Sequence, residues 1–160
     1  MPLTTSILGR LKTQHETVQD LVKGLAEEQL KQRVNPQKWS AFEQIAHLVA
    51  YQPSFLKRLQ LIAHQETPVF ERYLADNDPL FHQCLGYSLK ELLEDLSTQR
   101  FLINNHITQL SETTLRREGV HQLYGRFSIS QWAEFFLLHE AHHLFAIFML
   151  TAAVKNHVQQ

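Results

Sequence analysis

Residues 139–143 read His-Glu-Ala-His-His, which places three of the chain's ten histidines within five positions. Histidines four apart on a helix share a face, with Cβ atoms about 5–6 Å apart. Two imidazoles so spaced can converge on one metal ion at about 2.0–2.1 Å. His139 and His143 have this spacing and lie on a stripe with Phe136, Ile147 and Leu150 that the periodicity turns toward a protein interior. His142 falls to one side, toward a helix interface or solvent. Taken as His-Glu-x-x-His, the same residues spell a zinc-protease helix with Glu140 as general base. The rest of that machinery is missing. One protease class takes its third ligand from a downstream glutamate, and no Asp or Glu follows Glu140. Another continues with Gly and His at three-residue steps, where this chain has Ala146 and Met149. No sustained strand alternation offers an edge to an extended peptide. The protease reading is rejected, and Glu140 is expected to be a solvated helix residue.

A third ligand must then come from another helix. His47 leads, with His15 and His106 as rivals on or near the stripes of their own helices. His64, His82 and His121 are expected in loops and His157 in the tail. Glu43 is accounted for as the capping partner of Ser40. Tyr51, one turn after His47, is expected to be half-buried packing, with a hydrogen bond to a ligand as the alternative. Arg100 interrupts an apolar stripe; a surface ion pair is expected there, with contact to an anionic substrate as the alternative.

Four segments must position these residues. Helical periodicity runs from Thr5 to Leu30, Ser40 to Ala63, Leu89 to Leu110 and Ile129 to Val154. On the first, Leu8, Leu11, His15, Val18, Val22 and Leu25 align. Three helices begin with a capping box, Ser40 with Glu43, Ser88 with Glu91 and Ser128 with Gln131, in which the hydroxyl and the longer side chain satisfy two orphan N–H groups. Pro53 sits inside the second pattern and either kinks that helix or shortens it. Four amphipathic helices of this length predict an all-α four-helix bundle. Its connections at 64–87 and 111–127 are far longer than the usual ~4–6 residues. Such loops serve either as lids or as crossovers.

Length and composition bound the rest. A chain of 160 residues fits one domain, 1–160. A formal charge of -1 gives no reason to expect nucleic acid or an anionic membrane as partner. Cys84 is the single cysteine and is expected in a loop away from any metal, so a reduced, cytoplasmic setting follows. The N-terminus lacks the basic start and apolar run of a signal peptide. The apolar window around residues 135–154 has the length of a membrane span, but Glu140 and three histidines are costly in hydrocarbon, and a buried core helix is expected instead. Trp132, Phe135, Phe136, Phe145 and Phe148 are too many for one core face and point to a homodimer interface.

The segments WSAFEQIAHL (39–48) and HEAHHL (139–144) resemble the DinB/YfiT-like four-helix family, in which Trp-Ser-x-x-Glu-x-x-x-His-Leu precedes a final-helix His-x-x-x-His. The resemblance in order and spacing extends over nearly the whole chain. It implies that His47, His139 and His143 form a metal triad and that His142 is the adjacent non-ligand. Three neutral imidazoles leave coordination positions open, as catalytic sites do. They accept zinc, nickel or iron. The resemblance also implies a small-molecule substrate and, in several relatives, a transferase or isomerase using a low-molecular-weight thiol. A metal-dependent hydrolase on the same site, or a non-enzymatic metal-binding stress-response dimer, are the alternatives. Relatives often place Gln three residues after the last histidine, where this chain has Ala146.

Overall fold

The computed structural model describes the backbone of residues 3–158 and the side chains of residues 3–156, so the side chain of His157 lies outside the described residues. The capping signals act as expected. Ser40 Oγ accepts from Glu43 N at 3.2 Å and starts α4 (Ala41–His64); Ser88 Oγ accepts from Glu91 N at 3.3 Å and starts α6 (Leu89–Thr108). Ser128 and Gln131 form the same reciprocal pair at the head of α8 (Ile129–Val158). The Pro53 ring does not end α4, which runs unbroken through it.

The first helix departs from expectation. It divides into α1 (Thr5–Thr13), a 3₁₀ turn at Gln14–Glu16, α2 (Thr17–Val22) and α3 (Glu27–Lys31). Gly24 has φ +80, a left-handed conformation that stops α2 and that glycine takes without the usual Cβ clash. The buried stripe of this segment starts at Ile7 rather than Leu8, then follows Leu11, His15, Val18 and Val22.

The long connections are not structureless. The first holds β1 (Val69–Phe70), a 3₁₀ turn and α5 (Pro79–Cys84), which Asp78 caps through Leu80 N at 2.9 Å. Cys84 therefore ends a helix and is buried in the core, not in a loop as expected. The second holds α7 (Glu112–Leu115), β2 (Glu118–His121) and β3 (Gly125–Ser128). The three strands pair in the order β1-β2-β3, parallel then antiparallel, so the two connections are tied to each other. This corrects the expectation of a fold without strands. Gly119 on β2 lies where an added Cβ would stand 2.8 Å from Ile62 Cγ1 and 2.9 Å from Phe70 Cε2. Gly119→Ala is expected to lower stability by about 1–3 kcal/mol through overpacking, read as a shifted urea midpoint at unchanged m-value.

Around the bundle, α4 packs between α6 and α8, and α1 and α2 close the far side against the same two helices. Consecutive bundle helices therefore stand diagonally at two of the three connections. The apolar core falls into two clusters. One is built from Val18, Val22, Ile45, Leu96 and Ile147 with their neighbours, and the other from Ile7, Leu11, Phe55, Ile103 and Phe136 with theirs. Between them, every bundle helix contributes polar side chains at the same height: Gln14 and His15, His47 and Gln52, Arg100, and His139, Glu140 and His143.

Candidate metal centre

At this polar belt, α4 supplies His47 and α8 supplies His139 and His143 one turn apart. His47 Nε2 lies 3.2 Å from His139 Nε2, which lies 3.1 Å from His143 Nε2. All three candidate ligand atoms fall within 4.8 Å of one another. Ligands about 2.0–2.1 Å from a tetrahedral ion stand roughly 3.3 Å from each other, so the spacing fits three imidazoles facing a common cation. His143 Nδ1 is 2.6 Å from Gln44 Oε1. With the amide oxygen accepting, that bond holds the proton on Nδ1 and leaves the Nε2 lone pair facing the other two rings, the outer contact a metal-binding histidine ordinarily has. His47 Nδ1 and His139 Nδ1 are buried and have no hydrogen-bond partner among the described residues.

The environment keeps the rings neutral. Burial, then mutual repulsion among neighbouring histidines, pushes His47, His139 and His143 each down to about 3. Metal binding needs the neutral form.

The trio opens on a cavity of about 470 Å³. Tyr51 and Trp39 stand over the rings, with centroids 4.6 Å from His139 and 5.2 Å from His47. Tyr51 is fully packed rather than half-buried, and burial raises its phenol pKa. From the first long connection, the Tyr73 ring lies 5.6 Å from His47, and its hydroxyl donates to Asp78 Oδ2 at 2.6 Å. That connection forms a wall of the cavity.

The remaining histidines separate cleanly. His15 and His106 lie outside the cluster, and His64, which ends α4, and His82, which lies on α5, are exposed on helices rather than in loops. His121 is not in a loop: it ends β2, is buried, and lines the outer part of the same cavity. Leu123 N donates to its Nδ1 at 3.1 Å, which puts the proton on Nε2. His142 is exposed at the rim.

Two charged residues expected at the surface are buried. Glu140 is 0% exposed and Arg100 1% exposed, and the two form an ion pair in the belt. Gln14 Nε2 donates to Glu140 Oε2 at 2.8 Å, and Arg100 Nε donates to Gln52 Oε1 at 3.2 Å. Glu140 is thus neither solvated nor free to act as a general base, and Arg100 is neither on the surface nor available to substrate. Cys84 is sealed in the core, where burial pushes its thiol up to about 11.

The model of the DinB superfamily matches residues 10–147, a span that contains every residue of the trio. The chain belongs to the DinB superfamily. The chain is similar in fold to the solved structure of YfiT from Bacillus subtilis, a probable metal-dependent hydrolase with an unusual four-helix bundle topology. That match has a TM-score of 0.82 at 15% sequence identity and covers 94% of this chain and 86% of YfiT. A search of curated proteins gives no significant match. Within this DinB-superfamily chain, Ala146 is half-buried and does not line the cavity.

Sequence reasoning missed Arg58, Tyr73 and His121 as cavity residues. For Arg58 a signal existed: His47, Tyr51 and Arg58 are spaced four and seven apart on α4, one face of a helix. For Tyr73 and His121 none did, because their connections fold only by tertiary pairing.

Proposed function

We propose that this protein is a metal-dependent hydrolase of a small molecule, with His47, His139 and His143 as the ligands of a zinc, nickel or iron ion. The observation that carries the reading is the facing of three neutral imidazole nitrogens at 3.1–3.2 Å on the floor of a cavity of about 470 Å³. Three protein ligands leave room for water and substrate, where a structural ion is closed by four. A bound ion supplies a water acidified to near neutral pH and polarises a scissile carbonyl or phosphoryl oxygen. The chain's own part is to keep the three rings neutral by burial, to fix the His143 tautomer through Gln44, and to exclude bulk water with Tyr51, Tyr73 and Trp39. The likeness in fold to YfiT, a probable metal-dependent hydrolase, supports the same reaction class.

A thiol-using transferase is the second reading, since the open positions suit a thiolate and the buried Cys84 leaves the thiol to come from a cosubstrate. Metal-loaded protein assayed with carboxylic and phosphoric esters and amides, and in parallel with cellular thiols plus electrophiles, separates the two. Ester or amide turnover that is lost in His143→Ala supports the hydrolase. Turnover only with thiols overturns it, and metal loading without any turnover favours a binding protein.

The same reading includes a homodimer formed through α8. The helix is long and apolar enough to cross a membrane by length and composition, yet only 33% of its apolar window is buried. Trp132 and Phe136 enter the core and Phe135 the cavity wall, whereas Leu138, Phe145, Phe148 and Met149 share a bare outward face, Phe145 being 64% exposed. Light scattering is expected to give twice the chain mass, falling to a monomer in Phe145→Glu. A monomeric parent protein removes the claim.

A further inference from the structure

The protein buries two arginines and treats them differently. Arg100 has the Glu140 carboxylate. Arg58 on α4, 8% exposed, forms no ion pair with any carboxylate among the described residues. One Nη donates to the Glu71 carbonyl at 2.9 Å, and the guanidinium faces the Phe70 and Trp132 rings at 5.5 and 5.8 Å. Five N–H donors belong to a guanidinium, and these contacts satisfy only one. Arg100 Nη1 is sealed without a partner, but the remaining Arg58 donors are not sealed, and Arg58 lines the cavity above the three histidines. Burying a charge without a counter-charge is costly, and an anion entering the cavity removes that cost. Arg72, exposed and also without an ion pair, stands on the same wall, and the field of both arginines reaches His121. Among the described residues the single carboxylate on the wall is that of Asp76, which is exposed.

We propose that Arg58, with Arg72 beside it, binds an anionic group, a carboxylate or phosphate, on the small molecule whose reacting bond lies over His47, His139 and His143. The inference rests on the hydrolase reading for the role of the histidines. Arg58 lies eleven residues along α4 from His47, about 16 Å between Cα atoms before the side chains close the gap. The anionic group and the reacting bond are therefore separate parts of one molecule, with the anion serving as its handle. A guanidinium fork suits either oxyanion in a bidentate grip.

Calorimetric titration of the metal-free protein with inorganic phosphate and with succinate tests this at low ionic strength. Chelator must first be dialysed away, since it is itself a polycarboxylate. The parent protein is expected to bind at least one probe, and Arg58→Gln to weaken that binding about 10- to 100-fold. Arg72→Gln is expected to weaken it less. If Arg58→Gln does not fold, Arg58→Lys replaces it; the lost fork is expected to weaken binding severalfold. Parent protein that binds neither probe, or an Arg58 variant that binds as tightly as the parent, overturns the proposal. His47→Ala is expected to keep anion binding while losing metal, so failure of the metal reading and failure of the anion site give different results.

Discussion

Glu140→Ala is expected to destabilise the protein by about 3–5 kcal/mol, the cost of leaving a buried arginine without its carboxylate. Arg100 is left with Gln52 Oε1 and the face of Phe136, 4.9 Å away, and neither carries a counter-charge. Gln14 loses its acceptor as well, keeping only the carbonyl of Leu137 at 2.9 Å. The double variant Arg100→Met, Glu140→Leu separates charge from packing. Replacing a buried ion pair by apolar residues of similar volume is often neutral or stabilising, so most of the loss should be recovered. Urea denaturation of the three proteins reads both effects. A single variant within about 1 kcal/mol of the parent would show that the pair is not desolvated as its burial implies. The result also bears on mechanism: Glu140 should act through stability alone, so that metal content per folded chain stays at the parent level.

His47→Ala and His139→Ala are each expected to abolish tight metal binding, because two imidazoles cannot hold what three on two helices hold. Gln44→Ala should be milder, lowering affinity about 10- to 100-fold through the freed His143 ring. Elemental analysis of protein purified without tag-derived nickel checks this, and full occupancy in the His47 or His139 variant would sink the trio. Stability offers a second readout. In metal-free protein the folded state holds these rings at about 3, while an unfolded histidine titrates near 6.5. Below pH ~6.5 the unfolded chain therefore binds more protons, so stability is greatest above that pH and falls as pH drops toward 3. His15, pushed to about 4 by burial and by Arg100, acts in the same direction. Each alanine variant removes one depressed group and should show a shallower acid limb of unfolding midpoint against pH.

Much of the bundle was legible because its signals are local. Capping boxes at Ser40, Ser88 and Ser128 marked three helix starts, and the four-residue spacing of His139 and His143 put them on one face. His47 followed from the resemblance of its segment, and the structure places it beside them. Glu140 was misplaced although a signal existed. Ala133, Leu137, Glu140, Leu144, Ile147 and Thr151 alternate steps of three and four, and all are buried. Because α8 packs against α4 on one side and the first helix on the other, its buried face is wider than the single stripe drawn for it. Arg100 occupies the equivalent interruption on α6, and opposite charges on two apolar stripes suggest a pair. The small sheet was illegible for another reason. Strands of two to four residues contain too little alternation to register, and β1 pairs with β2 across some fifty positions of sequence, a contact no local pattern encodes.

The belt of polar side chains between the two apolar clusters also decides how the helices are aligned. Apolar stripes alone tolerate sliding, since a shift of one turn, about 5.4 Å, replaces one leucine by another. Here such a slip would push Arg100 or Glu140 into a hydrocarbon layer and strand its partner, at a cost of several kcal/mol. One ion pair thereby acts as a registration pin. With the Arg100 Nε–Gln52 Oε1 hydrogen bond tying α4 to that pair, it selects the alignment in which α4 brings His47 level with His139 and His143, so the geometry of the trio comes with reaching the folded minimum.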